Sequence, residues 1–180
     1  MSTQEYVILV DDDDRQIGTA EKLAAHRDGA LHRAFSIVIW DRAGHMLLQQ
    51  RATNKYHSAN LWTNTCCGHP RPNEDVADAA ARRLFEEMGF HCRLTPLGTI
   101  RYHAAFDNGL TEHEIVHVFR GLYDGGVVPD PDEASDFAWR TLDEVRRDVE
   151  AEPDSYSVWF RKYVAAEWPT AMVPPDAADH

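Results

Sequence analysis

Cysteine is scarce in this 180-residue chain: Cys66, Cys67 and Cys92 are an odd count, two of them adjacent. That arrangement excludes a disulfide framework and points to a reducing, cytoplasmic setting. Long apolar runs are also missing. The longest, such as Ile37-Val-Ile-Trp40, are far too short to span a bilayer. The first residues, Met1-Ser-Thr-Gln-Glu-Tyr6, lack the basic and then apolar pattern of a signal peptide, so no membrane partner is expected. Positive charge is in deficit, with 18 Lys and Arg against 30 Asp and Glu and a formal net charge of −12. A general nucleic-acid binder needs the opposite balance. Internal repeats, low-complexity blocks and a flavin motif are absent as well.

What is present is a composition for a folded core. Hydrophobic residues make up 43% and aromatics 10%, which excludes an intrinsically disordered chain. The length fits one domain, expected over residues 1–168, with a proline-bearing tail at 169–180 that is expected to fray. Strand-like runs occur at Tyr6 to Val10, Ala34 to Trp40, His45 to Arg51, Leu61 to Cys66, Cys92 to Tyr102, Glu112 to Tyr123 and Phe137 to Arg140. Asp41-Arg-Ala-Gly44 has hairpin-turn chemistry. Short helical turns are expected at Glu21 to His26. The clearest helix runs from Glu74 to Met88, where Val76, Ala80, Leu84 and Met88 recur every four residues and Gly89 is a natural stop. Leu142 to Glu150 and Ser155 to Glu167 complete the helices. The class is mixed α+β.

Three clusters have side chains suited to chemistry. In Trp62-Thr-Asn-Thr-Cys-Cys-Gly-His-Pro70, Cys67 and His69 are two apart, so an extended backbone puts both on one face. A thiol beside an imidazole or metal has a lowered pKa. The bland alternative is a small core cysteine beside a surface histidine. Glu112 and Glu114 likewise share a strand face, which is ordinarily a solvated one. His26 and His32 flank a loop-like segment. The sum, three imidazoles and two carboxylates, is a nitrogen–oxygen donor set that suits Zn²⁺ or Mn²⁺.

From Gly68 five residues lead to Glu74 and seven more to Arg82, followed by Arg83-Leu-Phe-Glu-Glu-Met-Gly-Phe90. This resembles the Nudix box, Gly-x5-Glu-x7-Arg-Glu-U-x-Glu-Glu-x-Gly-U, whose carboxylates hold Mg²⁺ against a diphosphate. Here Arg83 replaces the first glutamate after the arginine. Ordinary Arg82–Glu86 and Arg83–Glu87 helix pairs explain the helix but not the flanking glycines.

Taken together, Glu21-Lys22 before His26, Leu31-His32, Arg51 with Lys55, Asn64-Thr-Cys-Cys-Gly-His-Pro70, the altered box, Tyr102, Glu112-x-Glu114 and Ser157-x-Trp159 resemble the type I isopentenyl-diphosphate isomerases over about Tyr6 to Trp168. The resemblance implies a Nudix-like mixed sheet sandwiched between helices, with added N- and C-terminal segments. It implies one divalent ion (Zn²⁺, Mn²⁺ or Mg²⁺) on His26, His32, His69, Glu112 and Glu114, and Mg²⁺ shared between Glu87 and the substrate diphosphate. Cys67 and Glu114 match the proton-moving groups and Tyr102 a neighbouring hydroxyl. Lys22, Arg51, Lys55 and Arg83 match the cations around the diphosphate, and Trp159 an indole beside the isoprenoid carbons. The substrate implied is isopentenyl diphosphate, with no flavin, in a monomer or dimer. Two other readings compete: a Nudix hydrolase of a nucleoside-diphosphate derivative, and a non-catalytic diphosphate- or metal-binding module. Most acids, among them Asp11 to Asp14 and the Asp130 to Glu133 group, are expected to lie away from the site.

Overall fold

The computed structural model describes residues 5–55, 57–167 and 172–174. Its centre is β3 (His32–Trp40), a nine-residue strand with almost every side chain buried. Both faces are covered, as its near-continuous apolar sequence requires. Ala34, Val38 and Trp40 face one core with Val116, Val118, Val145, Trp159 and Phe160. Phe35, Ile37 and Ile39 face a second core with Ala79, Ala80, Leu84 and Met88. Strand alternation therefore sorts one sequence into two layers.

The remaining strands are β1 (Tyr6–Val10), β2 (Gln16–Glu21), β4 (His45–Arg51), β5 (Trp62–Thr63), β6 (Cys66–Gly68), β7 (Leu94–Ala105), β8 (Thr111–Leu122) and β9 (Ala134–Thr141). β3 pairs antiparallel with β1, β4 and β6, and in parallel with β8 over nine residues, from His32 opposite Glu114 to Trp40 opposite Leu122. β7 closes on β8 antiparallel, and β9 lies along β4. The helices are α1 (Lys22–Asp28), α2 (Val76–Met88), α3 (Leu142–Ala151) and α4 (Val158–Lys162). Helix α2 covers one sheet face while α3 and α4 cover the other, the mixed α+β sandwich expected from sequence.

Helix α2 starts at Val76, two residues later than its periodicity suggests, because the Asp75 side chain caps Ala77 N and Asp78 N at 2.8 and 3.3 Å. It stops at Gly89, whose left-handed φ of 79° lets its N–H reach the Phe85 carbonyl.

Three expectations need correction. The single strand expected at Leu61 to Cys66 is two short strands. Between them the Thr65 hydroxyl takes over backbone partners, accepting from Ile39 N at 2.9 Å and donating to Leu47 O at 2.7 Å. Strand β2 was not anticipated. None of its residues is buried and one is Gly18, so they carry no burial pattern, and it forms because Asp11–Asp14 makes the turn back from β1. The helix expected from Ser155 to Glu167 is broken into a 3₁₀ turn at Pro153–Ser155, α4, and a π-type segment at Tyr163–Glu167. A bridge from Tyr156 to Trp62 and the Ser157 cap set the start of α4. Most of the tail expected from residue 169 lies outside the described residues, although Met172 is buried against the first core.

Candidate active site

One row of side chains crosses three strands. His32 on β3 stands opposite Glu114 on β8, which stands opposite Tyr102 on β7. His26 arrives from the end of α1, where Glu21 caps the first turn and Gly29 (φ 62°) turns the chain towards β3. His69 arrives just past β6. Gly68 holds that strand tightly to β3, since a Cβ there would meet the Phe35 ring at 2.8 Å.

The ligand atoms of His26, His32, His69 and Glu114 all lie within 4.8 Å of one another. His26 Nδ1 donates to Lys22 O at 2.7 Å and His32 Nδ1 donates to Ala30 O at 2.8 Å. These bonds turn both Nε2 atoms inward, the outer-shell arrangement that orients metal-binding imidazoles. His69 Nε2 lies 2.9 Å from Glu114 Oε1 and 3.2 Å from His32 Nε2. Three nitrogens and one carboxylate facing a common point fit a divalent cation well. The electrostatics agree with that fit. Burial works against a charge on each ring, lowering His26 and pushing His69 down to about 3. At His32 burial is outweighed by the Glu114 carboxylate, and its pKa rises. Burial likewise opposes the charge on Glu114, yet His32 and His69 hold it well below the usual carboxylate range.

Glu112 does not join these four groups. Its Oε1 is 3.2 Å from His57 Nε2. Burial and the neighbouring Glu114 charge raise its pKa, and His57 opposes that rise. It nonetheless faces the same cavity as Glu114, so the strand face expected from the Glu-x-Glu spacing is correct.

That cavity, about 530 Å³, is bordered by every candidate group except His26 and His32. Cys67 Sγ lies 3.3 Å from Ser36 Oγ and accepts from Asn64 Nδ2 at 3.3 Å. Ser36 also bonds Tyr163. The expectation of a lowered thiol pKa is wrong: burial pushes Cys67 up to about 12, against the opposing bonds from Ser36 and Asn64. The reason is geometric, because the His69 imidazole turns to Glu114 and the thiol is left with neutral partners. Among the described residues, Tyr102 OH and Trp159 Nε1 are buried without a hydrogen-bond partner. Burial pushes the Tyr102 phenol up.

The cations gather at the same cavity. Lys22 Nζ pairs with Glu5 at 2.7 Å, and Lys55 pairs with Glu133. Arg51 donates to His57 O at 3.2 Å and lies 5.4 Å from the Trp159 ring centre. Arg83 makes the expected bond to Glu87 at 2.6 Å, but also reaches Glu86 at 2.8 Å and Glu133 at 3.0 Å. Gln49 donates to the other Glu87 oxygen at 2.9 Å. Sequence reasoning missed Glu5, His57 and Glu133. Sequence places Glu133 in a remote acidic group; the β4–β9 register, which sets Arg51 opposite Ala134, brings it to the cavity instead.

Known proteins agree with this geometry. A family model described as the NUDIX domain matches residues 30–163. Among solved structures, a Deinococcus radiodurans protein superposes with a TM-score of 0.75 at 18% identity, covering 89% of this chain and 98% of its own. A MutT protein from Methanosarcina mazei gives 0.62 at 20% identity, covering 75% of this chain and 91% of its own. At those identities the likeness is one of fold. Closer in sequence are proteins named isopentenyl-diphosphate Delta-isomerase. The Burkholderia multivorans one is 54% identical over 87% of this chain and 89% of its own, and the Streptomyces avermitilis one is 48% identical over 89% and 82%. The chain therefore belongs to the Nudix family, in its isopentenyl-diphosphate Delta-isomerase branch. Among the described residues no helix is long and apolar enough to cross a membrane.

Proposed function

We propose that this chain moves the double bond of isopentenyl diphosphate to give dimethylallyl diphosphate, adding a proton at the terminal alkene carbon and removing another from the carbon on the far side of the cationic centre. The observation that carries this reading is a single cavity bordered by the Cys67 thiol, the Glu114 carboxylate and a group of cations. An unactivated alkene reacts by protonation to a tertiary cation, so two proton-moving groups are needed around one carbon skeleton. Cys67 and Glu114 serve in those roles. They stand on β6 and β8, the strands on either side of β3. Tyr102 is the cross-strand neighbour of Glu114, and the buried Trp159 indole lines the cavity where an aromatic face stabilises positive charge. Burial of these groups keeps water from trapping the cation as an alcohol.

Lys22, Arg51, Lys55 and Arg83 bind the diphosphate. His26, His32, His69 and Glu114, with Glu112 as a further oxygen donor on the same strand face, would hold Zn²⁺, Mn²⁺ or Mg²⁺. Glu87 would share Mg²⁺ with the diphosphate. Such ions supply fixed positive charge that stabilises neighbouring anions and acidifies adjacent groups. Arg83 fills a box position that carries a carboxylate in the hydrolase pattern and engages Glu86 and Glu87, which favours holding the diphosphate over cleaving it. We place the reaction in the cytoplasm, in keeping with three free thiols.

The test is product analysis in D₂O. Purified protein given isopentenyl diphosphate should yield deuterated dimethylallyl diphosphate without added flavin. Release of orthophosphate faster than formation of the isomer would replace this reading with hydrolysis.

A further inference from the structure

Two of the cations assigned to the diphosphate share one acid that the chemistry does not use. Glu133 places Oε2 on Lys55 Nζ and Oε1 3.0 Å from Arg83 Nη2, so each oxygen engages a different cation. All three side chains are between 21% and 24% exposed, and all three border the cavity. The acid is also fixed from behind. The Glu133 carbonyl accepts from Ala52 N at 3.0 Å, and its own N–H donates to Asp130 O at 2.9 Å. Asp130 N in turn donates to Glu87 O at 2.9 Å. The main chain therefore ties this carboxylate both to the segment carrying Arg51 and Lys55 and to the end of α2. Lys22 differs, since its partner Glu5 is 66% exposed and largely screened by solvent.

We propose that Glu133 is a specificity-determining residue, an internal anion that occupies Lys55 and Arg83 in the free enzyme and competes with the substrate diphosphate for them. The proposal rests on the reading of Lys55 and Arg83 as diphosphate contacts. A carboxylate and a diphosphate repel each other, and they want the same N–H donors. A weak anion engaging only those two cations gains little by replacing a carboxylate already seated there. A diphosphate that also reaches Lys22 and Arg51 gains enough. Glu133 thus sets the minimum charge and reach that a ligand must have, and it lets the cations stay in place while the site is empty of substrate.

The experiment compares the wild type with Glu133→Gln, which keeps shape and one acceptor while removing the charge. Inorganic diphosphate with Mg²⁺, and orthophosphate, are titrated by calorimetry. Isomerisation kinetics are run in parallel. The expected result is about five-fold tighter binding of both anions, the size of a partly exposed ion pair. The change in kcat/KM should appear in KM, and orthophosphate should inhibit at concentrations that leave the wild type unaffected. Unchanged or weaker anion binding by a folded variant overturns the proposal. If Glu133→Gln does not fold, Glu133→Asp is read instead. Its shorter arm cannot span both cations, so it too should bind diphosphate more tightly, and wild-type affinity would refute the idea. Failure of the wild type to isomerise would remove the assigned activity. The anion titrations would still decide the role of Glu133.

Discussion

At the scale of single residues, Cys67 shows how burial decides chemistry. A thiol pushed up to about 12 is a reservoir for a proton at neutral pH, not a standing nucleophile. Its partners Ser36 and Asn64 orient it without ionising it. Replacing Cys67 by alanine should lower turnover by roughly 10²–10⁴-fold, the usual contribution of a positioned proton-transfer group. Binding of Mg²⁺-diphosphate should remain, because the sulfur bonds Ser36 and Asn64 and holds none of the cations in place. NMR of the products and calorimetry on the same sample check both halves. A non-catalytic binding module would be indifferent to this change. The His/Glu cluster makes a second prediction. Chelation should abolish isomerisation, Zn²⁺, Mn²⁺ or Mg²⁺ should restore it, and elemental analysis of the active protein should find a divalent ion that His69→Gln loses.

Among the elements, helix α2 was the most legible in sequence, because its four-residue spacing, its glycine stop and its charge pairs are all local. Gly89 bears a testable load. With φ at 79° and the Val128 carbonyl 2.4 Å from where a Cβ would sit, Gly89→Ala should cost about 1–3 kcal/mol, read as a lower urea midpoint. Most strands were legible too, from runs of β-branched and aromatic residues. The failures share one cause, which is dependence on distant partners. Strand β2 exists only by pairing with β1, and the break in β5–β6 only through Thr65 bonding across to β3 and β4. The site divides in the same way. Its residue types were visible, but no spacing shows that His32 and Glu114 are adjacent, since a parallel pairing of β3 and β8 brings them together. Glu133 sat in a proline- and acid-rich connector with no signal at all.

For the molecule as a whole, the net charge of −12 misleads unless it is located. Acids at the cavity are held by cations, and several titrate low as a result. At Glu133 burial acts to raise the pKa, but Arg83 and Lys55 prevail; away from the cavity lining, at Glu74, the bond from Arg82 is the largest influence and lowers the pKa. A carboxyl depressed in the folded state stabilises that state fully above its unfolded pKa, near 4.5. That contribution is lost as pH falls through the lower folded value. Glu74→Gln should therefore be less stable than the wild type at pH 7, with the gap closing as pH drops below about 4. Urea melts across that range test the sign, and a gap that widened in acid would contradict the pairing with Arg82.

The His/Glu cluster is gathered from a helix end, the first residue of the central strand, the residue after β6 and a strand reached only by a parallel crossing. No unfolded chain can offer these four groups together. If an ion resides there as proposed, its supply governs how long each copy of the protein survives as well as how fast it works. At a hundred times its dissociation constant a ligand specific to the native state adds about 2.7 kcal/mol to stability. A cell short of that metal would then lose the enzyme to proteolysis, and its output would fall further than the loss of activity per molecule alone implies.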